Sequence, residues 1–169
     1  LIDEVQYVVD HSDARFLVGE GQQEVDKGLA IKPRCPRVER IIWDDPKGMR
    51  GYDDPCLVSL AEVRRLGREL EAKDPGAFER VVAQGRPDDV ALLFYTSGTT
   101  AQPKGALLTH RNMLKMGQNM LALDPCEERD DFVSFLPFSW IGEQMMSISC
   151  GLMAGFTLNF PEDPETVQR

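Results

Sequence analysis

The sequence predicts an α/β fold, a mostly parallel sheet flanked by helices. Three observations carry this. Short apolar, β-branched runs alternate with stretches of helical periodicity along the 169 residues. One run, Val90-Ala91-Leu92-Leu93-Phe94, reads as a buried strand. It leads directly into a loop rich in Gly, Thr and Ser, and open α/β sheets place their ligands in loops at strand ends.

In chain order, Val5, Val8 and Val9 mark one face of a helix, and Arg15 to Val18 reads as a short strand. Glu24 to Ala30 is helical. Val38 to Trp43 is a strand, with β-branched residues at 38, 41 and 42. Ser59 with Glu62 three positions on predicts a capping box, opening a helix that carries Leu60, Val63, Leu66 and Leu70. Residues 44–58 and 73–89 are rich in Pro, Gly and Asp and read as loops. Ala106 to Leu108 forms a short strand. Thr109 is then the N-cap of a helix whose stripe is Met113, Met116, Met120 and Leu121. Asp131 to Phe135 is a strand, and Ile141, Met145, Ile148 and Leu152 mark another helix face. Phe156, Leu158 and Phe160 alternate with Thr157 and Asn159, which predicts a strand with one buried face.

A chain of this length makes one ordinary domain with a core. Its net charge of −9 disfavours nucleic acid as a partner and gives prominence to Lys104 and Arg111, the basic groups near the loop. The cysteines at 35, 56, 126 and 150 show no two-residue spacing, which argues against a zinc site. They indicate a reducing, cytoplasmic setting rather than a secreted disulfide framework. No apolar run approaches the roughly 18 residues of a membrane span. The chain starts within a helical pattern and stops after a strand and an acidic loop, so both ends read as cuts within a larger protein.

The chemistry concentrates in Tyr95-Thr96-Ser97-Gly98-Thr99-Thr100-Ala101-Gln102-Pro103-Lys104-Gly105. Successive backbone N–H groups in such a turn make a nest for an anion. Hydroxyls add donors and Lys104 adds a compact positive charge, which together suit a polyphosphate. The P-loop pattern does not apply, because Pro103 stands at its second glycine and Gly105 follows the lysine. Lys104 reads as a phosphate ligand or as a solvated surface lysine; its flanking Pro and Gly favour phosphate. Ser97, Thr99 and Thr100 either donate to phosphate or stabilise turns. His110 reads as a first-turn residue of a helix rather than a base. Glu143 alone makes no metal site. Six of the seven methionines lie between 113 and 153, which suits a plain core or an adaptable surface for an acyl chain.

The loop from Thr96 to Gly105 resembles the signature loop of the adenylate-forming enzymes, the superfamily of acyl-CoA synthetases, peptide-synthetase adenylation domains and beetle luciferases. Ala101 departs from it, standing where glycine is usual. Leu136-Pro137-Phe138-Ser139-Trp140-Ile141-Gly142-Glu143-Gln144 resembles the next motif of that superfamily, with Trp140 where histidine is common. Its wording is most similar to bacterial long-chain fatty-acyl-CoA synthetases, as is, less specifically, the stretch Trp43 to Pro55.

The resemblance implies a piece of the large N-terminal domain over 1–169, without the C-terminal domain. It implies a parent that activates a fatty acid with ATP through an acyl-adenylate and passes it to coenzyme A, with Mg²⁺ sharing the charge. Thr96, Ser97, Gly98, Thr99, Thr100, Lys104 and Gly105 would hold the ATP phosphates, Lys104 in the catalytic role, and Trp140 would line the substrate pocket rather than fill the core. No metal ligand is assigned. Another adenylating enzyme, such as an aryl-CoA ligase or a peptide-synthetase domain, is the alternative, as is a non-catalytic phosphate-binding module. Peripheral membrane association of the parent and self-association of this piece are further expectations.

Overall fold

The computed structural model describes residues 2–96 and 102–161. The chain divides into two compact units, Leu1–Gln84 and Gly85–Arg169. In the first, α1 (Ile2–His11) leads to β1 (Phe16–Gly19), α2 (Gln22–Ile31), β2 (Arg40–Trp43), β3 (Leu57–Ser59), α3 (Leu60–Lys73) and α4 (Ala77–Val82). The strands form one parallel sheet in the order β1-β2-β3, with Leu17 opposite Ile41 and Ile41 opposite Leu57. Val9, Val25, Ile31, Cys35, Val38, Ile41, Met49 and Cys56 make its core. Gly28 lets α2 approach the sheet, since a Cβ there would lie 3.0 Å from Ile41 Cδ1.

Several expectations are corrected here. Val38 lies before β2 and is buried in the core instead of pairing. The loop 44–58 ends in β3, whose start Pro55 obscures, and α4 lies within the loop 73–89 behind a left-handed Gly76 cap at φ 82°. The Ser59 capping box is half made. Glu62 N–H donates to Ser59 Oγ at 3.1 Å, but the Glu62 carboxylate is drawn to Arg65 at 2.6 and 2.7 Å.

The second unit begins with an antiparallel hairpin, β4 (Val90–Thr96) and β5 (Lys104–Thr109). The loop is therefore shorter than the motif, because Thr96, Lys104 and Gly105 lie in the strands. β4 is half-buried to exposed rather than buried. It pairs with β5 alone among the described residues.

Thr109 caps α5 (His110–Leu123) in a reciprocal box. Asn112 N–H donates to Thr109 Oγ1 at 3.2 Å, and Thr109 N–H donates to Asn112 Oδ1 at 2.9 Å. β6 (Asp131–Val133) and β7 (Thr157–Asn159) pair in parallel, with Phe132 opposite Leu158. Between them runs a helical stretch, 141–154, whose middle, Gln144–Cys150, is a π-helix.

This stretch buries a different face from the one its hydropathy predicts. Ile148 is exposed and Leu152 is 80% exposed, whereas Glu143, Ser147, Ser149 and Cys150 are buried. The reason is close approach to α5. A Cβ on Gly117, the one buried residue of α5, would lie 3.1 Å from Ser149 Cβ and 3.0 Å from Met153 Sδ. Ser149 and the flexible Met153 thioether pack against that glycine.

No helix among the described residues is long and apolar enough to cross a membrane. All four cysteines are free thiols. Burial, followed by the Asp54 carboxylate, pushes the Cys56 thiol up from its usual value near 9 to about 11. A raised value means that stability is intact below the unfolded value and lost as pH rises through the folded one. Denaturant unfolding read by Trp43 fluorescence should show stability falling between about pH 9 and about pH 11. Cys56→Ala should flatten that decline, and an unchanged slope would remove Cys56 as its source.

Candidate functional site

Strand pairing builds the site. Thr96 sits opposite Lys104 and Tyr95 opposite Gly105, the last two pairs at the loop end of the hairpin. Directly opposed residues share a face, so the Lys104 side chain lies on the Thr96 side. Gly105 serves the sheet as well as the loop, because a Cβ there would lie 2.8 Å from Leu93 Cδ1. Lys104 is exposed and makes no ion pair among the described residues. Ser97, Gly98, Thr99, Thr100 and Ala101 lie outside the described residues.

Arg111 is paired with an acid at the surface. Its guanidinium grips Asp88 in a two-point ion pair, at 2.7 and 3.0 Å. That contact holds the Asp88 carboxyl below the usual carboxylate range. His110 begins α5, as the sequence predicts, and its N–H donates to Asp89 O at 3.1 Å.

Beside the hairpin end lies an open groove of about 500 Å³, lined by Phe94, Tyr95, Thr96, Ser139, Trp140, Ile141 and Gly142. It joins Thr96 of the first motif to Trp140 of the second. Trp140 is 58% exposed, so it forms a wall and does not fill the core. A larger groove of about 730 Å³ in the first unit is lined by Trp43, Pro46, Gly48 and Met49, none of them a candidate residue.

The groove wall is held by Glu143, whose structural role the sequence reading missed. Glu143 is 1% exposed. Its Oε1 accepts from Ser134 Oγ–H at 2.5 Å and from Ser147 Oγ–H. Ser134 lies just past β6, and its N–H donates to Asn159 O of β7 at 2.9 Å. Both ends of the 135–142 turn are thereby fixed. Inside it, Trp140 N–H donates to Pro137 O at 2.8 Å and Gln144 Nε2 donates to Phe138 O at 2.6 Å. A clue was present in the sequence: a glutamate in a largely apolar helical stretch, with a serine four residues on.

Among the described residues no three His, Cys, Asp or Glu side chains are placed to hold a metal ion. The arrangement offers one exposed cation, hydroxyl and backbone groups at a hairpin end, and a half-apolar groove with an aromatic wall.

The family model described as AMP-binding enzyme matches residues 2–169. A long-chain-fatty-acid–CoA ligase, ACSBG2 of Xenopus laevis, is 30% identical over 148 residues, covering 84% of this chain and 19% of that protein. Probable acyl-activating enzyme 16, chloroplastic, of Arabidopsis thaliana is 31% identical over 149 residues, covering 82% of this chain and 20% of that protein. The chain thus spans about a fifth of the length of these relatives. Among solved structures, the anthranilate CoA ligase AuaEII in complex with anthranoyl-AMP superposes with a TM-score of 0.72 at 20% identity, over 95% of this chain and 28% of that one. ATP-bound MatB from Rhodopseudomonas palustris gives 0.64 at 17% identity, over 99% and 30%. These likenesses identify the α/β fold as that of the N-terminal domains of adenylate-forming enzymes.

Removing the Glu143 carboxyl strands two buried hydroxyls. Glu143→Ala should lower stability by on the order of 2–5 kcal/mol. Glu143→Gln keeps one acceptor oxygen and should cost less. Denaturant unfolding followed by Trp140 fluorescence in a Trp43→Phe background measures both, and equal losses would contradict the role of the carboxyl oxygen.

Proposed function

Because the chain belongs to the AMP-binding enzyme family, we propose that it supplies the phosphate grip and part of the acyl groove of a long-chain fatty acid–CoA ligase. The observation that carries this is the placement of Thr96, Lys104 and Trp140 about one hairpin end and groove. The fatty-acid–CoA ligases among the relatives support the choice of acid. In this reading the fatty-acid carboxylate attacks the α-phosphorus of ATP, pyrophosphate leaves, and an acyl-adenylate forms. The thiol of coenzyme A then attacks the acyl carbon, and AMP departs.

In this reading the Lys104 ammonium, opposite Thr96 in the hairpin, neutralises charge on the leaving pyrophosphate. Thr96 donates its hydroxyl at the same end. Ser97, Gly98, Thr99 and Thr100 complete the grip by the sequence argument. Trp140 forms an apolar wall against which the acid is aligned. Mg²⁺ would be held chiefly by the nucleotide phosphates, since it typically uses only one or two carboxylates and Glu143 is engaged with two serines. A reducing, cytoplasmic setting with peripheral membrane contact completes the proposal.

The test uses a full-length enzyme carrying this segment, with each half-reaction measured separately. Lys104→Ala should slow carboxylate-dependent pyrophosphate release about 100-fold. It should leave thioester formation from supplied acyl-adenylate nearly unchanged, since pyrophosphate has already left. Equal losses in both steps would count against Lys104 as the phosphate cation. A preference for aryl over long-chain acids would overturn the substrate class alone.

The 169-residue chain by itself should release no pyrophosphate, because proximity catalysis needs acid, base, ribose and phosphates held together. It should also self-associate, since Leu107, Leu123 and Leu152 are exposed and unpaired strand edges invite pairing. A clean monomer by sedimentation would remove the self-association claim.

A further inference from the structure

Where α5 ends against the π-helix, the second unit encloses a small void of about 30 Å³, lined by Met120, Leu121, Asp124, Cys126, Met146 and Cys150. Four of these six residues carry sulfur. We propose that this void binds a soft monovalent cation of the Cu(I) type, ligated by the sulfurs of Cys126, Cys150, Met120 and Met146.

Ligand softness comes first. Thiolates and thioethers select Cu(I) over the harder divalent ions. The residues here are not a zinc set, as no three His, Cys, Asp or Glu side chains gather among the described residues. The void has room for a small ion, since about 10–15 Å³ on this measure already holds a water molecule.

Electrostatics favour a cation at this place. The C-terminal end of a helix carries partial negative charge. α5 has no basic residue in its last turn, and an acid, Asp124, stands at its C-cap.

Neither thiol is strongly held. Cys150 Sγ–H donates to Gly117 O at 3.9 Å and Cys126 Sγ–H donates to Asp124 O at 3.7 Å. Both contacts are long and easily given up. On ligation each thiol loses its proton to solvent, and no electron changes hands. Cys126 is half-buried beside the loop that follows α5, which gives an entry path, while Cys150 lies fully inside. Cys150 and Met146 both ride on the π-helix, a rare geometry found frequently at functional sites.

Titration of the chain with Cu(I), under nitrogen and ascorbate against the chromophoric chelator bicinchoninate, tests the proposal. The chain should withdraw one equivalent. The double variant Cys126→Ser, Cys150→Ser should bind about 100-fold more weakly or worse. Met120→Leu, Met146→Leu preserves core volume and should weaken binding about 10-fold with circular dichroism unchanged. Cys35→Ser, Cys56→Ser should bind as the parent chain does. Failure to compete with the chelator, or retention of the metal by both the Cys126/Cys150 and the Met120/Met146 variants, would overturn the site. So would mass spectra showing a Cys126–Cys150 disulfide as the only product of copper exposure.

Discussion

The candidate site depends on one carboxyl group finding two hydroxyl donors inside the fold. Glu143 is buried with no ion pair among the described residues, and Ser134 and Ser147 satisfy it from two different elements. A buried polar group without such partners costs several kcal/mol, so the contact is strongly specified. Because Ser134 is also tied to β7, the lock joins the parallel β6–β7 pair to the helical stretch behind it. The turn between carries Phe138, Ser139 and Trp140. Its ends cannot drift independently, and the groove inherits its wall from that restraint.

A second consequence concerns charge. In a chain with net charge −9 several arginines are paired with acids. Arg15, Arg65, Arg80 and Arg111 are each claimed by a nearby carboxylate. Lys104 has no such partner among the described residues and stands at the loop end of a hairpin. An exposed lysine at that place offers an anionic ligand a local positive charge in a chain whose average field is negative.

What the sequence made legible was local. Thr109 and Asn112 sit three apart, so their cap needs nothing but the helix itself. The hairpin limbs around the Gly/Thr loop were visible for the same reason, and Thr96, Lys104 and Trp140 were found through motif order. What escaped depends on tertiary neighbours. Hydropathy ranks Ile148 and Leu152 above Ser149 and Cys150 for burial, yet the closeness of Gly117 reverses the order. Glu62 faced two possible partners and took Arg65, a competition that spacing alone does not decide. The Glu143 contact links residues nine positions back and four ahead, and only the folded arrangement shows that both arrive at the same oxygen.

The π-helix from Gln144 to Cys150 has a meaning for ancestry. A bond from residue i to i+5 encloses one more residue than the α-helical i to i+4 bond. Relatives that keep plain α-helix here would hold the same start and end with one residue fewer. An ungapped alignment across the segment would then put every position from Gly151 to Asn159 one step out of register. In β7 a one-step error exchanges the inward and outward faces. Measured identity over this part of the chain would fall short of true kinship, and a single well-placed gap would restore it.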